Sequence, residues 1–232
     1  MSLSPPILCL VTDRRRLGDR LGLPPDGASI VEALLSQISA ASEAGVTLIQ
    51  VREPDLSAMA LVTLIRRIRA RTATHGVRVV VNDRIDVGLA SHADGVHLKR
   101  SSVPVADARR LAPPGWMIGR SVHSLSDLAH GITAGVDYLI FGSVFPTRSK
   151  PVNWETAGLA GLEAAVTAAS PLPVLAIGGI GWAQTAEVAR TGAAGVAAID
   201  AFLPTDAARI ADTVHEAVGR MRMAFDSILP LS

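Results

Sequence analysis

Eight short apolar runs recur along the chain with almost no polar alternation inside them: residues 7–11, 46–51, 77–81, 95–98, 117–122, 138–144, 174–177 and 196–199. Strand-length runs that are apolar on both faces belong to a sheet covered on both sides, the sign of parallel strands wrapped by helices. The segments between them supply the helices. Residues 30–44 set Ile30, Leu34, Ile38 and Ala41 on one stripe, and 56–73, 105–111, 125–133, 159–169, 183–190 and 206–221 read as helices too. The 85–91 crossover has room for only a distorted turn or two. Asp13, the stretch from Asp55 to Ser57, Ser124 and Thr205 stand where N-caps are expected. Ala44-Gly45-Val46, Asp94-Gly95-Val96, Ala134-Gly135-Val136 and Ala194-Gly195-Val196 precede strands two, four, six and eight, which suits a left-handed glycine closing a helix before a valine opens a strand. Eight strands in a β/α alternation fold most simply as a closed (β/α)8 TIM barrel, one domain over residues 1–232. A doubly wound open sheet is the other option, but no dinucleotide-binding glycine pattern follows the first strand.

Composition narrows the class. Hydrophobic residues make up 49% of the chain and aromatic ones 3%, so the core must be aliphatic and rich in alanine. Twenty-two basic side chains against 21 acidic ones leave a net charge of +1, which argues for no broad attraction to nucleic acid or membrane. Cys9 is the only cysteine, so neither an internal disulfide nor a thiolate metal cluster can form. No apolar run approaches the roughly 18 residues of a membrane span. The first apolar run precedes its arginines, the reverse of a signal peptide, and a cytoplasmic protein is the expectation.

Two segments exceed a minimal barrel. Residues 14–29, rich in Arg, Gly and Pro, read as a long loop insertion after strand one, either a lid or a solvated surface loop. Residues 146–157, after strand six, are a second candidate mobile loop.

In a barrel of this kind chemistry belongs to the C-terminal strand ends. There the chain offers Gln50, Arg52, Asn82, Asp83, His97, Ser121, His123, Thr147, Ser149, Lys150, Gly178, Gly179 and Asp200. Gly178-Gly179 after strand seven suits an anion, because barrels often hold phosphate with the loops after strands seven and eight. Two glycines also make a plain tight turn. Asp200, at the end of strand eight, weakens the phosphate reading unless its carboxylate points away or caps the next turn. Lys150 is either an anion ligand or a solvated loop lysine, and Arg52 is either an anion clamp or the partner of Glu53 in a rim ion pair. Asn82-Asp83 suits Mg²⁺ or polar substrate contacts, but the fourth strand ends in Lys99-Arg100-Ser101-Ser102, without a second carboxylate, so no preformed metal site is expected. His97, inside an apolar run, reads as a hydrogen-bonded wall residue. His123, at a strand end among serines, is the candidate proton-transfer group.

Taken together, several of these stretches resemble the thiamine phosphate synthase/TenI family of (β/α)8 barrels. They are Leu8-Cys9-Leu10-Val11-Thr12-Asp13, Gln50-Val51-Arg52-Glu53, Val81-Asn82-Asp83-Arg84, Ala93-Asp94-Gly95-Val96-His97-Leu98, the run from Phe141 to Thr147 and Ala176-Ile177-Gly178-Gly179-Ile180. The resemblance implies one of two activities. A synthase joins an aminopyrimidine diphosphate to a thiazole phosphate and releases diphosphate, with Mg²⁺. A TenI-type thiazole tautomerase moves a proton to aromatise a carboxythiazole phosphate and needs no metal. The synthase pattern has a lysine where this chain has Pro54, and a Mg²⁺-binding aspartate where it has Ser102, although Lys99 and Arg100 offer partial replacements. Gly119-Arg120-Ser121-Val122-His123-Ser124-Leu125 matches the TenI form of the strand-five motif, which implies that His123 and Ser121 are catalytic.

The leading expectation is therefore a metal-free thiazole tautomerase that anchors its thiazole phosphate at Gly178 and Gly179, with Lys150 free to face the thiazole carboxylate. The alternatives are a thiamine phosphate synthase, with Asp83 binding Mg²⁺, and a non-catalytic regulator that binds a phosphate ligand. A homodimer is implied by the resemblance alone.

Overall fold

The computed structural model describes residues 3–132, 135–148, 151 and 153–228. Eight parallel strands close into a barrel in sequence order: β1 (Ile7–Val11), β2 (Leu48–Val51), β3 (Arg78–Asn82), β4 (Gly95–Leu98), β5 (Met117–Val122), β6 (Tyr138–Gly142), β7 (Val174–Ile177) and β8 (Gly195–Ala198). The last strand closes onto the first, with Ile7 opposite Gly195 and Leu10 opposite Ala198. The outer layer holds α1 (Arg14–Leu21), α2 (Ala28–Ala44), α3 (Ala58–Thr72), α4 (Ile85–Ser91), α5 (Val105–Leu111), α6 (Leu125–Ile132), α7 (Gly158–Ala169), α8 (Trp182–Arg190) and α9 (Ile210–Asp226). Among the described residues no helix is long and apolar enough to cross a membrane.

The missing polar alternation has its cause in two separate cores. Alternate strand residues turn inward, where Ile7, Cys9, Val11, Leu48, Val80, Met117, Tyr138, Ile140, Leu175 and Ala197 fill the barrel. Their neighbours, such as Leu8, Leu10, Ile49, Val79 and Val81, turn outward under the helices. Burial of Cys9 pushes its thiol up to about 12, so it behaves as a small apolar group.

The four X-Gly-Val repeats serve two purposes rather than one. Gly45 (φ 97°) and Gly135 (φ 74°) are the left-handed residues expected. Gly95 and Gly195 lie inside strands instead. A Cβ on Gly95 would stand 2.2 Å from the Met117 carbonyl oxygen, and one on Gly195 would stand 1.9 Å from that of Ile7. Glycine is needed there so that neighbouring backbones can approach.

Residues 14–29 are not simply a loop. Asp13 caps the segment by accepting from the Arg16 N–H at 3.1 Å. Leu17 is buried, and Gly18 lets the helix sit against Ile30. Gly22 then closes α1 in the left-handed conformation, so apart from Gly18 the glycines and prolines fall at the helix end and in the short link before α2. The 85–91 crossover is likewise an ordered helix, closed by His92 at φ 58°. The C-terminal helix starts later than the pattern implies, because Asp206 caps a 3-10 turn at Ala207–Arg209 first.

Candidate active site

The inward phase of the strands continues past their ends and sorts the candidates. Gln50 and Arg52 follow Leu48, Asn82 follows Val80, His97 and Lys99 follow Gly95, and Ser121 and His123 follow Met117. All of these line one cavity of about 710 Å³ at the C-terminal mouth, closed on the β6 side by Ser143 and Trp154. Asp83 is out of phase and reaches the rim only through a turn at φ 66°, a conformation that Asp tolerates better than most residues.

At the cavity floor His97 is fully buried, and burial alone pushes its pKa down to about 3. The neutral ring hydrogen-bonds Tyr138 Oη at 3.2 Å through Nδ1 and Ser121 Oγ at 2.8 Å through Nε2. It thereby fixes the Ser121 hydroxyl as a wall residue would. Gly119 makes room for this arrangement, since a Cβ there would fall 2.1 Å from Tyr138 Cζ. His123 is exposed to the cavity, and its Nδ1 donates to the Gly142 carbonyl, which leaves Nε2 as the lone-pair nitrogen of the neutral ring.

A second concavity of about 480 Å³ adjoins the first and shares Ile177, Gly178 and Ile199 with it. It is bordered by Thr147, Gly179, the start of α8 at Gly181-Trp182 and the 3-10 turn at Asp200–Phe202. Gly178 (φ 100°) and Gly179 (φ 63°) are both left-handed, and the β6–α7 loop crowds both. A Cβ on Gly178 would lie 2.6 Å from Ser143 Cβ, and one on Gly179 2.3 Å from the Pro146 oxygen. Asp200 does not leave a bare negative charge here: Arg16 Nη1 donates to its Oδ1 at 2.8 Å. Arg16 comes from α1, and this neutralisation answers the objection that Asp200 raised to an anion site. Thr147 borders the cup as expected, whereas Ser149 and Lys150 lie outside the described residues.

Of the two readings of Arg52, the rim pair with Glu53 is not found among the described residues. Glu53 is buried and accepts instead from the Arg14 N–H at 3.1 and 3.2 Å. Burial pushes its carboxyl up to about 7, against the lowering effect of hydrogen bonds from Thr12 and Arg14.

The mouth thus joins a cup walled by Thr147, Gly178 and Gly179 with a larger cavity rimmed by cations, and comparison with known proteins identifies the lineage. The family model described as thiamine monophosphate synthase matches residues 25–202. The chain belongs to this family. It is 40% identical over 196 residues to the thiamine-phosphate synthase of Desulfitobacterium hafniense, covering 84% of this chain and 88% of the relative. With that of Anaeromyxobacter dehalogenans it shares 42% over 193 residues, covering 83% of each. The solved structure of thiamine phosphate pyrophosphorylase from Pyrococcus furiosus superposes with a TM-score of 0.78 at 32% identity, covering 97% of both chains.

These relatives overturn the tautomerase expectation. The relatives are named as synthases, so Ser121 and His123 do not by themselves select proton transfer. The isomerase reading is withdrawn.

Mg²⁺, which the thiamine monophosphate synthase family implies, can be tested against the residues present. Asp83 gives both carboxylate oxygens away: Lys99 Nζ lies 2.5 Å from Oδ2, and Ser102 Oγ donates to Oδ1. Burial works to raise the Asp83 carboxyl, but these two partners hold it below its ordinary value. Among the described residues no group of three or more His, Cys, Asp or Glu could hold a metal ion. Mg²⁺ needs near-octahedral oxygen ligands, so a single carboxylate already paired with an ammonium does not fit it.

Sequence reasoning missed Arg16 and Trp154. The charge at 16 was visible, but its reach to Asp200, 184 positions away, depends on α1 being a helix. The inward phase of the strands is a usable signal for Lys99, which the sequence offers as a partial replacement for the missing synthase residues but not as a cavity-lining group.

Proposed function

We propose that this chain is a thiamine phosphate synthase, joining an aminopyrimidine diphosphate to a thiazole phosphate with release of diphosphate. The observation that carries the reading is the pair of adjoining concavities, which gives room for two phosphorylated substrates, whereas a tautomerase handles one. The reading rests also on the names of the relatives.

In this reaction the carbon–oxygen bond to diphosphate breaks, and the lone pair of the thiazole ring nitrogen forms the new carbon–nitrogen bond. That nitrogen becomes part of a thiazolium and carries no proton to lose. Negative charge grows on the departing diphosphate, so cations at the rim would stabilise the transition state. Arg52 and Lys99 take that role, with Asn82 beside them. Gln50 and the Ser121 hydroxyl, held by His97, meet the polar edge of the pyrimidine. Gly178, Gly179 and Thr147 receive the thiazole phosphate, with Asp200 kept neutralised by Arg16. Asp83 acts by holding Lys99. Ser149 and Lys150, which follow Thr147 closely in the sequence, are carried forward only as proposed substrate-binding residues.

Two expectations follow from this division of roles. His123→Asn should keep turnover within about tenfold of the parent, since no step needs a base. Loss of a positioned general base usually costs 10²–10⁴-fold, so a fall of about a thousandfold in steady-state turnover would contradict it. Arg16→Ala should raise the KM for thiazole phosphate roughly fivefold at unchanged kcat, about 1 kcal/mol for an exposed charge. Adding Asp200→Asn should recover most of that loss; an unchanged KM in the single variant would separate Arg16 from the cup. The reading itself is tested by assaying condensation of the two substrates.

A further inference from the structure

The mismatch at Asp83 has a positive side. Where the family implies a divalent cation, this chain holds a built-in monovalent one. Ser102 Oγ accepts from the Lys99 N–H at 2.8 Å and donates to Asp83 Oδ1, and Lys99 Nζ closes the ring on Oδ2. The Ser102 N–H also donates to the Lys99 carbonyl at 3.2 Å, so residues 99–102 form a tight turn clamped to the end of β3. A hydroxyl at 102 can accept and donate at once, which a carboxylate cannot. An aspartate there would repel Asp83 and release the turn unless a cation lay between them.

The charge balance supports the same assignment. Two carboxylates and a divalent ion sum to zero, and so do one carboxylate and one ammonium. Lys99 is half exposed and lines the 710 Å³ cavity in the inward phase of β4, and Arg52 and Arg100 line the same cavity. Arg100 is partly engaged, with Nε 3.4 Å from Asp127 Oδ1, and Asp13 on the far side is within reach of Arg16. Among the described residues Arg52 lines the cavity with no side-chain ion pair, and Lys99 keeps the ammonium hydrogens that Asp83 does not take. A diphosphate in the cavity can therefore meet the Arg52 guanidinium and an ammonium that Asp83 already holds in place.

We propose that Lys99, positioned by Ser102 on Asp83, is the diphosphate-binding cation of this chain, so that diphosphate is held and released without a divalent metal at Asp83. This rests on the synthase reading for its role in turnover, but the binding site stands separately. The test is calorimetric titration of the purified protein with inorganic diphosphate, in EDTA and in Mg²⁺, alongside condensation assays in the same two buffers. The parent protein should bind diphosphate in EDTA within about fivefold of its affinity in Mg²⁺. Lys99→Met should weaken binding in EDTA at least tenfold, and Lys99→Arg should restore part of it. Lys99→Met combined with Ser102→Asp, which supplies a second carboxylate, should bind only when Mg²⁺ is present. Diphosphate binding that vanishes in EDTA, or that Lys99→Met leaves unchanged, would overturn the proposal. If that occurs while condensation proceeds with Mg²⁺, the synthase reading survives and the lysine site falls. Lys99-dependent binding in EDTA without condensation in either buffer would uphold the site and defeat the synthase reading.

Discussion

Gly179→Ala is expected to raise the KM for thiazole phosphate about a hundredfold while the barrel stays folded. The backbone at 179 has φ 63°, a region that costs an alanine roughly 1 kcal/mol by itself. The larger effect is steric. The new Cβ would lie 2.3 Å from the Pro146 oxygen and 2.8 Å from Phe145 Cβ, so the β7–α8 and β6–α7 loops must part. Those two loops form opposite walls of the proposed phosphate cup, and a displacement of about 1 Å at such a site can cost on the order of 10²-fold. The strands beneath are untouched, because both loops lie beyond the last ladder residues, Gly142 and Ile177. Steady-state kinetics with each substrate varied, together with a thermal melt, would check this. A KM within threefold of the parent would mean that the cup does not hold the thiazole phosphate.

The second large effect concerns stability and pH. Glu53 is buried, and its carboxyl is pushed up to about 7 from an ordinary 4.5. The folded state therefore binds this proton more tightly than the unfolded chain does. Its contribution is complete below about pH 4.5 and is lost as pH rises through 7. A shift of this size corresponds to on the order of 3 kcal/mol. Glu53→Gln keeps an oxygen to accept from the Arg14 N–H and cannot ionise. Urea unfolding between pH 5 and 8 should show the parent losing stability relative to the variant by that amount, with most of the change between pH 5 and 7. Parallel pH profiles for the two proteins would show that Glu53 does not change its charge in this range.

Much of the architecture was legible because the barrel demands both faces of each strand. Leu8 and Cys9, or Val80 and Val81, are apolar for two different reasons, one toward the helices and one toward the barrel axis. The run is unbroken in either case. What could not be read was anything set by two distant segments meeting. Residues 14–29 looked like a loop because their glycines and prolines dominate the composition, yet Asp13 and Leu17 suffice to build a helix once Ile30 packs against Gly18. Arg52 and Glu53 are adjacent in sequence and suggested a pair, but adjacent residues at a strand end point to opposite faces. Arg52 turns to the cavity and Glu53 to the Arg14 backbone.

The functional misreading has a similar origin. His123 reads as central in the sequence because residues 119–125 match the TenI motif while Pro54 and Ser102 break the synthase pattern. In the folded chain Ser102 is not a gap, since it fixes Lys99 on Asp83. A substitution that reads as loss in one motif is balanced by a residue three positions away, and that compensation is visible only when the turn is closed.

The most direct test of the central claim is a condensation assay. The purified protein would be mixed with an aminopyrimidine diphosphate, a thiazole phosphate and Mg²⁺, and both thiamine phosphate and diphosphate would be quantified over time. The account predicts equal amounts of the two products, each dependent on both substrates. Absence of thiamine phosphate under these conditions would contradict it.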